Sequence, residues 1–332
     1  VFKGKFTMSK LVTIYGGSGF VGRYVARRMA QAGWRVRVAV RRPNEAMFVK
    51  PYGAVGQVEP IFCNIRDDAS VAAAMQGADA VLNCVGILAE TRRQSFEAVQ
   101  AEGAGRVARI AAATGVDRMV HISAIGADAN ADSTYSQTKA AGEKAVLEAM
   151  PNAMIVRPSI VFGPEDDFFN RFASMSRFGP VLPVVGADTK FQPVYVDDVA
   201  QAAVMGVTGD ASGIYELGGP DVASFRELMT QMLEIVRRRR LVLNIPTFAA
   251  KLMAFGFGIA ETLSLGIIKA PITSDQIKNL SVDNVVSEDA RGFADLGIAP
   301  VPTDAVLTDY LWRFRPSGQY DAIKESAKNL KA

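Results

Sequence analysis

Tyr135-Ser136-Gln137-Thr138-Lys139 places a phenol and an ammonium group four residues apart, a spacing that puts both on one face of a helix. A lysine charge beside a phenol favours the phenolate, so the pair is a candidate acid or base. A second group sits near the start of the chain, in Tyr15-Gly16-Gly17-Ser18-Gly19-Phe20-Val21-Gly22-Arg23. Glycine at 16 permits the positive φ of a tight turn. Glycine at 19 lets a pyrophosphate approach the backbone, and glycine at 22 lets a helix pack closely on its strand. The N–H groups of that helix start then face the phosphates with a partial positive charge. The third group is Arg41-Arg42, about 20 residues past the turn, where a dinucleotide fold reads the adenosine ribose. A carboxylate there would bond the 2′-hydroxyl of NAD, whereas two guanidiniums can clamp a 2′-phosphate. The expected cofactor is tightly bound NADP(H), with NAD(H) second.

These residues need strands and helices to bring them together. Leu11 to Tyr15 is an apolar run ahead of the glycine turn, and Val21, Val25, Ala26 and Met29 mark a helix after it. Arg35 to Val40 alternates as a second strand ending at the arginine pair. A third strand is expected over 58–65, placing Asn64 and Ile65 at the adenine. A fourth, over 80–85, carries Cys84, Val85 and Gly86 beneath a ribose. Helices are expected over 96–114 and 135–150, with a fifth strand over 118–123 ending in Ile122 and Ser123, and a sixth from Ala153. Strands alternating with helices predict an α/β fold: a Rossmann-type doubly wound parallel sheet with a smaller C-terminal lobe.

Beyond Phe162 the pattern loosens. Residues 163–167 and 179–188 read as loops, and 194–196 as a short strand. Asp197 reads as the cap of a helix over 199–207, followed by a strand over 213–218 and a helix over 224–237. The expected organisation is a dinucleotide-binding domain from 10–162 with 190–210, a smaller lobe from 163–189 with 211–310, and a tail over 311–332.

The glycine turn, the Tyr135–Lys139 pair and the strand order together resemble the extended, atypical short-chain dehydrogenase/reductase superfamily. Arg157-Pro158-Ser159, Phe162-Gly163-Pro164, Pro193 to Val199 and Tyr215 to Gly219 extend the likeness over about residues 10 to 240. The resemblance implies that Tyr135 and Lys139 contact the nicotinamide ribose, and that Pro158, Ser159, Ile160 and Val161 line the nicotinamide. Active members carry a Ser or Thr one or two places beyond Ser123; here those places hold Ala124 and Ile125. A family Asn near residue 100 is Gln100. The oxyanion-type donor of a working site is thus missing.

Within that superfamily, Tyr15 to Arg23, Ala80 to Leu88, Met119 to Asp128, Ile272 to Ile277 and Val282 to Val286 resemble the NAD(P)H-binding accessory subunits of respiratory complex I. That resemblance implies a structural or assembly role, a nucleotide held without turnover, the other complex I subunits as partners, and a peripheral place on the cytoplasmic face of a bacterial inner membrane. A soluble NADP-dependent reductase or epimerase using Tyr135 and Lys139, and an NADP(H) redox sensor acting through a partner, are the alternatives.

Composition bounds these readings. The chain has 332 residues, 49% hydrophobic and 21% charged, which describes a globular protein with a sizeable core. A net charge of +3 gives no footprint for nucleic acid. Cys63 and Cys84 have no metal-ligand spacing and fall on strands at opposite sides of the first, so no disulfide is expected. Residues 1–10 lack an apolar core and read as no signal peptide, with Met8 as a candidate start. His121, the sole histidine, reads as a buried, hydrogen-bonded ring. Phe248, Leu252, Phe255, Ile259, Leu263 and Ile267 recur at helical spacing after Arg237 to Arg240. The stretch 247–268 is either a membrane-interface or docking helix, or one that closes the lobe.

Overall fold

A computed structural model describes residues 9–91, 94–253, 256, 273–316, 318, 320 and 327. The chain forms two units. The first contains the residues up to Pro158, with Val196–Leu217 and Glu288–Ala299; the second contains Ser159–Tyr195, Gly218–Ser287 and the residues from Pro300.

In the first unit, β1 (Leu11–Tyr15), β2 (Arg35–Val40), β3 (Val58–Phe62), β4 (Ala80–Asn83), β5 (Arg118–Ile122) and β6 (Met154–Pro158) form a parallel sheet with the strand Gly213–Leu217. The order across it is Gly213–Leu217, β6, β5, β4, β1, β2, β3. All five residues of β1 are buried, as a strand covered on both faces requires. The covering helices are α1 (Phe20–Gln31), α2 (Asp68–Met75), α3 (Glu102–Ala113), α4 (Thr134–Ala149) and Val196–Thr208. Alternation along the strands serves both layers. Tyr15, Val81, Met119 and Ile155 pack with Val71, Val107 and Val146 of α2, α3 and α4. Val120 and Met154, one residue away, meet Gly206 on the opposite helix, where an added Cβ would lie 2.5 Å from the Met154 sulfur. The chain leaves β1 toward β2 on one side and returns to β4 on the other, so the ends of β1 and β4 form the switch-point crevice that binds ligands in such sheets.

The strand Gly213–Leu217 and the segment 288–299 are corrections: sequence placed both in the smaller lobe. Backbone pairing decides the first, since Tyr215 registers with Val156. The Arg291 carbonyl accepts from the Glu216 N–H at 2.8 Å, and its guanidinium lies 4.4 Å from the Tyr215 ring centre. Asp197 is a third correction. The helix begins at Val196, so Asp197 caps nothing; its carboxylate takes two 2.7 Å bonds from Arg28 of α1.

The second unit is built on Phe162, Phe169, Phe225, Met229 and Leu307. Its helix Phe225–Ile235 starts at a capping box of Ser224 and Glu227, which satisfies two otherwise unpaired N–H groups. Residues 181–185, expected in a loop, instead form the strand Val181–Val185, parallel to Leu241–Ile245. Phe248, Leu252 and Met253 of the apolar stripe are exposed. Phe255, Ile259, Leu263 and Ile267 lie outside the described residues. Among the described residues no helix is long and apolar enough to cross a membrane, and no cluster of His, Cys, Asp and Glu could hold a metal.

Candidate functional site

At the end of β1 the chain turns sharply. Gly16 adopts φ +74°, and its N–H donates to the Ala39 carbonyl at 2.9 Å. Gly19 then caps α1 with no side-chain bond, and no acidic residue stands in the first turn. The helix therefore presents its first N–H groups, at Phe20, Val21 and Gly22, without an intrahelical acceptor. Space is the reason for glycine here. A Cβ on Gly22 would lie 2.3 Å from the Gly16 carbonyl oxygen, and one on Gly19 would lie 3.1 Å from the same atom. Arg23 folds back over the turn, donating to the carbonyls of Ser18 at 3.2 Å and Gly19 at 3.3 Å, with its guanidinium 4.8 Å from the Phe48 ring centre. This cradle fits a pyrophosphate: the donors are unspent, and the positions that would block approach carry no side chain.

Gly16 packs against Val85 and the Cys84 carbonyl group, which brings the β4 end to the cradle. Burial pushes the Cys84 thiol up to about 12, with the Lys139 charge opposing, so it stays protonated. Both cysteines are free thiols. At the end of β2, Arg41 and Arg42 are exposed. Arg42 already pairs with Glu45 at 2.9 Å. Past β3, Asn64 accepts from the Arg66 N–H at 3.2 Å, while Ile65 is buried under α3.

Lys139 is 4% exposed on α4. Its ammonium donates to the Ile122 carbonyl at 3.2 Å and lies where a Cβ on Gly86 would be 3.5 Å away. Burial pulls its pKa down to about 8, against the opposing pull of Glu143 and Cys84. Glu143 is itself anchored by Arg157 at 2.6 Å, and Arg157 also reaches Glu216 at 3.3 Å. The Tyr135 ring meets Phe96 edge-on at 5.7 Å, and the Lys139 ammonium is 5.9 Å from its centre. Burial pushes the phenol up to about 12. This corrects the expectation of a lysine-stabilised phenolate: the ammonium is turned to a backbone carbonyl, so desolvation governs the phenol. A protonated Tyr135 can donate a proton or a hydrogen bond.

Around this pair, Ser123 Oγ is buried without a hydrogen-bond partner, and so is His121 Nε2. Asn83 explains the histidine. Its Oδ1 accepts from the Val85 N–H at 3.1 Å, so its amide nitrogen faces His121 Nδ1 at 3.2 Å. Nδ1 must then accept, and the neutral ring carries its proton on the orphaned Nε2. Burial and the Lys139 charge push this imidazole down to about 3. Ala124 and Ile125 occupy the places beyond Ser123 and bring no hydroxyl. Gln100 lies in a π-helical turn at Glu97–Ala101 and donates to the Ile87 carbonyl at 2.7 Å. Sequence reasoning missed the Asn83–His121 pair and the Arg157 network, because partners 14 to 59 residues apart leave no local pattern.

Pro158 ends β6, its carbonyl accepting from the Ile125 N–H at 3.0 Å. Ser159, Ile160 and Val161 fall in the second unit. There Ser159 Oγ lies 2.7 Å from Asn284 Oδ1 and 2.9 Å from the Asn284 carbonyl.

A family model, the NAD dependent epimerase/dehydratase family, matches residues 12–218. The chain belongs to that family. NADH dehydrogenase [ubiquinone] 1 alpha subcomplex subunit 9 of Arabidopsis thaliana, a mitochondrial protein, is 35% identical over 328 residues, covering 95% of this chain and 81% of that one. The mitochondrial NADH-ubiquinone oxidoreductase 40 kDa subunit of Neurospora crassa is 32% identical, with 93% and 80% covered. The resemblance to complex I subunits within the extended short-chain superfamily therefore holds along the chain. Among solved structures, the enzyme WbmH of Bordetella bronchiseptica, in complex with NAD+, superposes with a TM-score of 0.68 at 18% identity, over 93% of this chain and 99% of that one. The fold is shared at that level, and the family is one that binds a nicotinamide dinucleotide.

Proposed function

We propose that this protein is an NADP(H)-holding accessory subunit of respiratory complex I, with a structural or assembly role and a nucleotide that does not turn over. Identity of 35% across 95% of the chain to a subunit of that complex carries the reading. In this division of labour the first unit holds the nucleotide and the second serves docking. Gly16 to Arg23 would cradle the pyrophosphate, Arg41 and Arg42 the 2′-phosphate, and Tyr135 and Lys139 the nicotinamide ribose. When bound, the cofactor brings a hydride donor or acceptor. The protein around it supplies a protonated phenol, a lysine turned to Ile122, and no hydroxyl at positions 124 and 125 to polarise a substrate carbonyl. The proposed address is the cytoplasmic face of a bacterial inner membrane, equivalent to the matrix side of mitochondria, in peripheral association with the electron-transport complex.

The test is purification of the complex from membranes with wild-type chain and with Tyr135→Phe. The chain should co-purify, and the variant should leave quinone-linked NADH oxidation nearly unchanged. A chain absent from the complex refutes the subunit reading; lost activity at unchanged assembly and nucleotide content refutes the idle nucleotide. The retained Tyr135–Lys139 pair favours a second reading, a soluble reductase, for which steady NADPH oxidation by the purified chain is the signature.

A further inference from the structure

The second unit carries an apolar sheet face whose one end is open to solvent. In the pair Val181–Val185 and Leu241–Ile245, Leu182 and Val184 are buried, Val242 packs on the core, and Asn244 accepts from the Ala187 N–H. The alternate positions point the other way; of these, Val185 and Ile245 are covered by Ala250 and Ile277, which leaves the start of the strand pair open. Pro183 is exposed, and Leu241 and Leu243 are 65% and 49% exposed. Phe178, 75% exposed, belongs to the same edge. Arg240 donates to the Ser176 carbonyl at 2.8 Å, and the Leu241 N–H donates to the Pro180 carbonyl at 3.0 Å. Those bonds tie the turn at 176–180 to the start of the second strand. A contiguous apolar strip of this kind marks an interaction surface.

Cations stand beside it. Among the described residues, Arg177, Arg238, Arg239 and Arg240 make no ion pair. Arg177 and Arg240 both press on Arg238, whose pKa is lowered by burial and by those two charges. The negative end of the helix Phe225–Ile235 offsets only about half a charge. The chain reaches this cluster through Arg237, the one described non-glycine residue with positive φ, at +54°. That conformation carries a steric cost that glycine would avoid. An open cleft of about 810 Å³ lies here, lined by Thr230, Glu234, Arg238, Arg239 and Leu241 among others.

We propose that this face docks on an anionic phospholipid bilayer. Headgroup phosphates lie against Arg177 and Arg238 to Arg240, while Phe178, Leu241 and Leu243 enter the headgroup–acyl boundary. Unpaired cations alone would suit any phosphate, and an apolar strip alone would suit any protein. Side by side they match the two layers of a leaflet surface. The inference rests on the membrane-associated reading above, and assigns the contact to a sheet face rather than to 247–268.

The test is flotation of the purified full chain with phosphatidylcholine vesicles and with equal-part phosphatidylcholine–phosphatidylglycerol vesicles. The chain should bind the anionic vesicles, weaken as salt rises, and leave the neutral ones largely free. A cation near such a surface is worth about fivefold, so Arg177→Gln with Arg239→Gln should bind roughly thirtyfold more weakly. Leu241→Ser with Leu243→Ser should weaken binding by more than about tenfold. Both pairs are exposed, so melting temperature and nucleotide content should match wild type. Equal binding to both vesicle types, no binding, or variants that bind as wild type would overturn the proposal. A chain that assembles into the complex yet ignores vesicles refutes the lipid surface alone and points to a protein cover. A chain that binds vesicles but never joins the complex refutes the subunit reading alone.

Discussion

Lys139→Met should make the nucleotide-free protein more stable at neutral pH while removing a nucleotide contact. The ammonium is buried, and the fold holds its pKa at about 8 against an ordinary 10.5. Below pH 8 both folded and unfolded chains are protonated, so the fold carries the full cost of burying the charge. Between 8 and 10.5 the folded chain has released its proton and the unfolded chain has not, so stability climbs with pH. Above 10.5 the cost is gone. At about 1.4 kcal/mol per unit, the burden is about 3 kcal/mol at neutral pH. Methionine removes that burden but leaves the Ile122 carbonyl without its donor, a loss of about 1 kcal/mol. The net expected gain is about 2 kcal/mol, and the pH slope above 8 should flatten. The assay is denaturant unfolding of nucleotide-stripped wild type and variant across that range, together with NADP(H) titration of both. A variant less stable than wild type at neutral pH, or a wild type whose stability does not rise between pH 8 and 10.5, would falsify the reasoning.

The cradle and the ribose end give two further outcomes. Gly22→Ala places a Cβ 2.3 Å from the Gly16 carbonyl, so the purified variant should carry little NADP(H) and lose about 1–3 kcal/mol of stability; full nucleotide content by extraction would contradict the cradle. Arg41→Ala should weaken NADP(H) by roughly tenfold or more, the loss of one charge-assisted phosphate bond, and leave NAD(H) unchanged by titration calorimetry. Arg42→Ala should do less, because that guanidinium is already shared with Glu45; equal affinity of wild type for NADP(H) and NAD(H) would end the argument for both arginines.

The sequence by itself determined the first sheet, apart from its edge strand Gly213–Leu217, and the phosphate turn. Apolar runs such as Leu11–Tyr15 and the glycines at 16, 19 and 22 are local signals, and the contacts that demand them lie within a few residues: the Cβ of Gly22 would strike Gly16 and Gly17. The Tyr135–Lys139 spacing was equally legible, because helical periodicity alone puts both on one face. Their protonation was not. It depends on where the Lys139 ammonium points and on burial, and the partner atom, the Ile122 carbonyl, belongs to a strand 17 residues earlier. The same limit hid the Asn83–His121 pair, the Arg157 bridge to Glu143 and Glu216, and the capture of Asp197 by Arg28 across 169 residues. The strand Val181–Val185 was invisible for a related reason. Val-Leu-Pro-Val-Val, interrupted by a proline and set between Gly179-Pro180 and Gly186, reads as loop until Leu241–Ile245 pairs with it. Only that pairing turns Leu241 and Leu243 outward beside four arginines. Local geometry is written in neighbouring residues; charge state and surface chemistry are set by groups that only the folded chain brings within reach.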